Sequence, residues 1–421
     1  MSEVMSDPGG ATMTEPFDLL LEKYAALVVR VGVNVQPGQE VVINALPEQA
    51  DAARALATEA YRVGASRVSI QYDDPHLQRA AVEHAPEELL GVTQDHHLAQ
   101  VRAWGDSKPA LISLTGNPHP TLMEGLDPTR LAKSTPIDLI QQVMPLITTN
   151  KLAWTVVGAP TKGWADSVGV ADVTRLWDAV ATAMRLDQAD PVAAWQAHVA
   201  KLRARAAILN GHRFDRIRYR GPGTDLTLGM APGSSWVGGS LENEDGVEFV
   251  PNMPTEEVFI SPDWRRAEGH VRTSAPFFLA TMGALVEDLA LEISDGTITG
   301  ATAARGEEAV RAQFELIPRS RHLGEVAIVD SDSAVARTGL VYKDMLFDEN
   351  VGSHVAWGMG YTSAMDGTLG LKPEQRVAEG LNQSDTHVDI VIGSPEVQID
   401  GIHADGSVVP VTRGDAFVLE D

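Results

Sequence analysis

Cysteine is absent from all 421 residues. That excludes disulfides, thiolate metal sites and cysteine nucleophiles, and it fits a cytoplasmic protein. Long apolar runs are missing as well. No stretch of about 18 apolar residues occurs, so no membrane-spanning helix is expected. Met1 to Thr14 is polar and glycine-rich, with no basic start followed by an apolar run. This predicts a loose tail and not a secretory signal. Positive charge is scarce: 33 Lys and Arg face 58 Asp and Glu, a formal charge of −25. Such a chain repels nucleic acid and anionic lipid and draws cations. The chain also has no P-loop, no G-x-S-x-G elbow and no H-E-x-x-H.

What is present suffices for large cores, with 44% hydrophobic residues, and the length suggests two domains. Phe17 to Val31 carries Leu20, Tyr24, Leu27, Val28 and Val31 at helical spacing. Strands are expected at Glu40 to Ala45, Ser66 to Tyr72, Ala110 to Thr115 and Leu152 to Gly158. Helices are expected from Pro47 to about Gly64, and at Pro75 to His84, Val173 to Leu186 and Pro191 to Asn210. Alternation of strand and helix implies parallel βαβ units. From Phe214 onward the runs shorten, alternate and are punctuated by glycine. Ile217 to Tyr219, Asp225 to Leu228, Ala284 to Ile293 and Gly296 to Gly300 read as strands, with one helix at Glu307 to Glu315. Ser294-Asp295-Gly296 and Ala404-Asp405-Gly406 read as hairpin turns. The expected fold is an α/β N-terminal domain with a parallel sheet, residues 15–210, and a mostly β, α+β catalytic domain, residues 211–421.

The second half also holds the side chains that carry chemistry. Hydrolysis by paired divalent metals needs carboxylates to neutralise both ions, terminal His or Asp ligands and an open position for water. Glu325 heads the apolar run Val326 to Val329, where a buried charge is costly without a partner. In His387-Val388-Asp389, residues i and i+2 of a strand point to one face. Glu349 and His354 lie five apart, and Tyr361 follows Gly358-Met359-Gly360. Glu256 and Glu257 are adjacent, so on an extended chain only one enters a given site. Each residue alone also reads as a solvated acid, a packed histidine or a half-buried tyrosine. Their combination within one half of the chain points to a metal centre.

The string Asn252-Met253-Pro254-Thr255-Glu256-Glu257-Val258-Phe259 resembles a signature of the aminopeptidase T and aminopeptidase S family of metallo-aminopeptidases. So do the Leu346 to Tyr361 segment, with Glu349, His354 and Tyr361 in place, and His387-Val388-Asp389-x-x-Ile392-Gly393-Ser394. The resemblance spans essentially the whole chain. It implies a two-metal exopeptidase acting on peptides with a free N-terminus, assembled as a homodimer. It assigns two divalent ions per subunit (Zn, Co, Mg or Mn) to Glu257, Glu325, Glu349, His354, His387 and Asp389, with Glu325 as the bridge. Tyr361 is expected to assist catalysis, and Glu256 or Glu349 to act as general base. Two alternatives use the same ligands: a dinuclear amidase or carboxypeptidase, and a non-catalytic dimer with structural metals.

Overall fold

The computed structural model describes residues 16–419 other than 117 and 120; the expected loose tail, residues 1–14, lies outside them. A five-stranded parallel sheet takes four of its strands from the first half. Its order is Asn252–Met253, Trp154–Gly158, Ala110–Thr115, Glu40–Ala45, Arg67–Tyr72. Alternation along Glu40–Ala45 sends Val41, Ile43 and Ala45 into one core with Leu20, Tyr24 and Leu27 of helix Phe17–Leu27. Val42 points the other way, to Trp104 and Leu111. Helices Asp95–Ser107 and Ile137–Thr148 cover that second face. Neither was expected from the sequence. Ile137–Thr148 does carry Leu139, Val143 and Leu146 at helical spacing, but Pro145 inside it reads as a helix breaker.

Asn252–Met253 belongs to the second half of the sequence yet closes the edge of the parallel sheet. Helix Pro191–His212 also joins the two halves. Trp195 and Val199 lie in the first core, whereas Leu202, Ala206 and Leu209 lie in the second.

The second half is rich in antiparallel strands. An eight-stranded sheet includes the hairpins expected around Asp295 and Asp405. The run expected at Ala284 to Ile293 is instead two strands, Ala284–Val286 and Ala290–Ser294. Asp288 between them has φ +57°, a left-handed conformation outside the β region that interrupts the run. A five-stranded sheet has the order His387–Val391, His354–Gly358, Leu323–Val329, Glu257–Ile260, Val237–Gly238. One face of it is apolar. Ile260, Val326, Ile328, Val355, Trp357 and Ile390 pack there in one core with Ile217, Tyr219 and Leu228 of the larger sheet. Burying each such side chain contributes roughly 1.5–3 kcal/mol. Among the described residues no helix is long and apolar enough to cross a membrane.

Candidate metal centre

The opposite face of the five-stranded sheet is polar. Antiparallel partners share a face, and the pairs Glu257↔Val329, Glu325↔Ala356, Ala327↔His354, Ala356↔Asp389 and Gly358↔His387 therefore put all five acidic and histidine side chains on one side. Four neighbouring strands supply them. All seven residues of Leu323–Val329 are buried, so Glu325 does not alternate out to solvent.

A bulge aims Glu325. Leu323 pairs with Trp357 but Glu325 with Ala356, leaving Gly324 as the extra residue. The parity flips there, so Leu323 enters the apolar core while Glu325 enters the polar face. Only glycine fits, because a Cβ at 324 would stand 2.4 Å from the Met359 carbonyl oxygen.

Two groups of ligand atoms result, Glu257 with Glu325 and His354, and Glu325 with His387 and Asp389. Within each group the atoms lie within 4.8 Å of one another, and Glu325 belongs to both. His387 Nε2 is 3.3 Å from both Glu325 Oε2 and Asp389 Oδ1. Each imidazole is oriented by its other nitrogen: Nδ1–H of His354 donates to the Gly352 carbonyl at 3.0 Å, and that of His387 to the Met359 carbonyl at 2.7 Å. This leaves Nε2 of both rings directed at the carboxylates, the arrangement in which histidine ligates a metal. Nε2 of His354 and Oε2 of Glu257 approach to 2.9 Å but are not aligned for a hydrogen bond. These two atoms and Asp389 Oδ1 are buried without a hydrogen-bond partner. Buried groups of this kind need a partner, and a divalent cation among them supplies one. The donor set of carboxylate oxygens and imidazole nitrogens suits Zn, Co, Mn or Mg.

Electrostatics agree with a cation site. Burial, reinforced by Glu257 and Asp389, pushes the Glu325 carboxyl up to about 7 although His387 opposes it. Burial, then Asp389, Glu257 and Glu325, also raises Glu349. Burial opposes charge on His354, but Glu257 and its neighbours more than offset it and take the ring to about 9. Glu325, Glu349 and His354 thus hold protons tightly, and a divalent ion competes for the same lone pairs.

Glu349 enters from outside the sheet, on the turn Glu349–Val351, and lines the same cavity as Glu257, Glu325, His387 and Asp389. The cavity holds about 310 Å³. Away from the carboxylates its wall is largely apolar, with Met144, Ile147, Trp154, Leu241, Phe259 and Met359, but it also includes Asn150, Asn252, Arg376 and Gln383. Tyr361 lines it too, its ring 4.8 Å from that of His387 and 5.7 Å from that of Phe259. Burial keeps its phenol protonated.

The sequence from residue 17 to residue 417 matches the family of thermophilic metalloproteases, M29. The chain belongs to the M29 family. It is a metallohydrolase by that membership, and the resemblance noted from its motifs extends to named relatives. It is 40% identical to aminopeptidase T of Thermus aquaticus, over 95% of this chain and 98% of that protein. It is 37% identical to aminopeptidase PepS of Streptococcus thermophilus, with the same coverage. Wild-type AmpT from Thermus thermophilus superposes with a TM-score of 0.87 at 38% identity, over 96% of this chain and 100% of that one.

One expected site residue is not brought into this M29 cluster. Glu256 faces away, because neighbours on a strand alternate. Its carboxylate is gripped by Arg185 through two bonds of 2.7 and 2.8 Å and accepts from the Ala334 amide. Sequence reading also missed Arg185, Asn350 and Arg376. Asn350 receives the Glu256 amide at 2.7 Å and so sets the strand beside the cluster. Asn350 lies within the Leu346 to Tyr361 segment that carries the family resemblance but was given no role there, and Arg185 and Arg376 carry no motif signal.

Proposed function

We propose that this chain is an aminopeptidase that releases N-terminal residues from peptides with two divalent ions per subunit. The observation that carries the proposal is the pair of ligand groups sharing Glu325 at the floor of an apolar-walled cavity. The similarity to curated aminopeptidases supports the choice of substrate. Glu257, Glu325 and His354 would hold one ion, and Glu325, His387 and Asp389 the other, with Glu349 beside them. Bound there, divalent ions activate water and polarise the scissile carbonyl.

The chain's own groups do the rest. The carboxylate-rich floor attracts the substrate's free α-amine, which restricts cleavage to N-termini. Glu349 takes the proton from the attacking water and returns it to the leaving amine. Glu256 is unsuited to that role, because Arg185 holds its carboxylate on the far side of the strand. The Tyr361 hydroxyl donates to the tetrahedral oxyanion. The apolar wall takes the side chain of the departing residue and excludes water.

The reading extends to a cytoplasmic homodimer. The absence of cysteine supports the compartment. Ile137, Ile140 and Met144, all exposed on the helix whose Met144, Ile147 and Thr148 line the cavity, support self-association. The test strips the protein of metal and follows amino-acid release from free and N-acetylated peptides as Zn, Co, Mn or Mg is restored. Metal-restored release confined to free N-termini is expected. Equal cleavage of acetylated peptides would instead establish an amidase.

A further inference from the structure

Most arginines near the sheets are paired with a carboxylate: Arg185 with Glu256, Arg218 with Asp225, Arg265 with Asp263, Arg266 with Asp215. Arg376 is not. It sits on helix Pro373–Glu379, and its one side-chain partner among the described residues is the neutral Gln383, whose Oε1 accepts from Nη1 at 3.2 Å. Its Nε is buried without a hydrogen-bond partner. In a chain of formal charge −25, a cation left without an acid invites an anion from outside.

Its position says which anion. Arg376 and Gln383 line the same cavity of about 310 Å³ as the carboxylate cluster, and among the described residues Arg376 is the one Lys or Arg side chain there. The cavity is therefore lined by the carboxylates of Glu257, Glu325, Glu349 and Asp389 together with one guanidinium. The backbone around Arg376 is fixed: the indole N–H of Trp264 donates to the Val377 carbonyl at 3.0 Å, and the Leu381 amide to the Arg376 carbonyl at 3.0 Å. A guanidinium so held presents a planar fork that matches a carboxylate. A cavity of this volume, at the small end of ligand pockets, suits a peptide of two or three residues.

We propose that Arg376 binds the C-terminal carboxylate of a di- or tripeptide whose free amine lies at the carboxylate cluster, making short peptides with a free C-terminus the favoured substrates. This rests on the aminopeptidase reading and deepens it. The α-carboxylate is preferred to an acidic side chain because it is present in every short peptide, whatever its sequence.

The experiment compares metal-loaded wild type, Arg376→Gln and Arg376→Lys on Leu-Gly, Leu-glycinamide and Leu-aspartamide, the last carrying its only carboxylate on a side chain. Wild type is expected to favour Leu-Gly over Leu-glycinamide by about tenfold or more in kcat/KM, chiefly through KM. Arg376→Gln brings that ratio toward one, and Arg376→Lys restores part of it. Equal treatment of acid and amide by wild type, or an equal loss on both in Arg376→Gln, overturns the proposal and leaves the aminopeptidase reading intact. Preference for Leu-aspartamide over Leu-Gly also overturns it, transferring the contact to acidic side chains. No leucine release from any of the three overturns the aminopeptidase reading and this inference with it.

Discussion

Glu256 and Glu257, adjacent in sequence, carry their carboxylates to opposite faces of one chain segment. Oε2 of Glu257 lies 2.9 Å from His354 Nε2 in the cluster, while Glu256 is clasped by Arg185 at 2.7 and 2.8 Å. The two positions should therefore fail in different ways. Glu257→Gln is expected to lose more than the roughly hundredfold in metal affinity or activity that changes around a metal site's ligands cause, with little change in thermal stability. Glu256→Gln leaves a guanidinium only 15% exposed without its counter-charge and should cost about 3 kcal/mol. Metal analysis and denaturant titration of both variants check this.

Glu325 is shared by both ligand groups, whereas Asp389 belongs to one. If two ions bind as proposed, Glu325→Gln should abolish turnover and strip both. Asp389→Asn should weaken one ion and spare much of the other. Metal-to-protein ratios across a chelator series distinguish the two patterns; identical losses would remove Glu325 from the bridging role.

Gly324 is the residue that lets the strand change parity. A Cβ there would meet the Met359 and Gly358 carbonyl oxygens at 2.4 and 2.6 Å. Gly324→Ala should cost about 1–3 kcal/mol through overpacking and lower kcat as well, because Glu325 is re-aimed. Unfolding curves alongside kinetics at saturating metal test the pairing of these effects.

His198 supplies a pH dependence away from the metal cluster. Its Nε2–H donates to the Thr255 carbonyl at 2.8 Å, and Nδ1 accepts from Arg185 at 3.2 Å. Burial lowers its proton affinity below the ordinary 6.5, outweighing the opposing pull of Glu256. Below pH 6.5 the unfolded chain takes up a proton that the folded ring declines, so the stability contributed by His198 falls as pH drops through that region. Glu325 and His354, raised to about 7 and about 9, take up protons on folding and pull the other way in wild type and variant alike. Between about pH 5 and 8 the denaturation midpoint of wild type should therefore fall relative to that of His198→Gln as the solution becomes more acid.

Much of this was legible in the order of residues. Val41, Ile43 and Ala45 alternate as a strand must, and Leu20, Tyr24 and Leu27 recur as a helix must, because these periods are local properties of the backbone. His387 and Asp389 could be placed on one face for the same reason. Ligand chemistry was legible too: a chain with no cysteine and with Glu, His and Asp at strand ends offers oxygen and nitrogen donors and nothing softer. The family signature extended that reading to the whole chain.

What only the folded molecule decided are the relations between strands. Strand alternation requires Glu256 and Glu257 to diverge, but which of them faces the cluster depends on Arg185 and His198 from another segment. The bulge at Gly324 depends on the register of Leu323–Val329 against His354–Gly358. Sharing of Glu325 by two ligand groups depends on four strands joined across more than a hundred residues. Arg376 carries no signal in the sequence, and only the fold sets it in the cavity wall. Local periodicity is written along the chain, whereas register and facing follow from which surfaces bury against which, and that is settled by packing across distant segments.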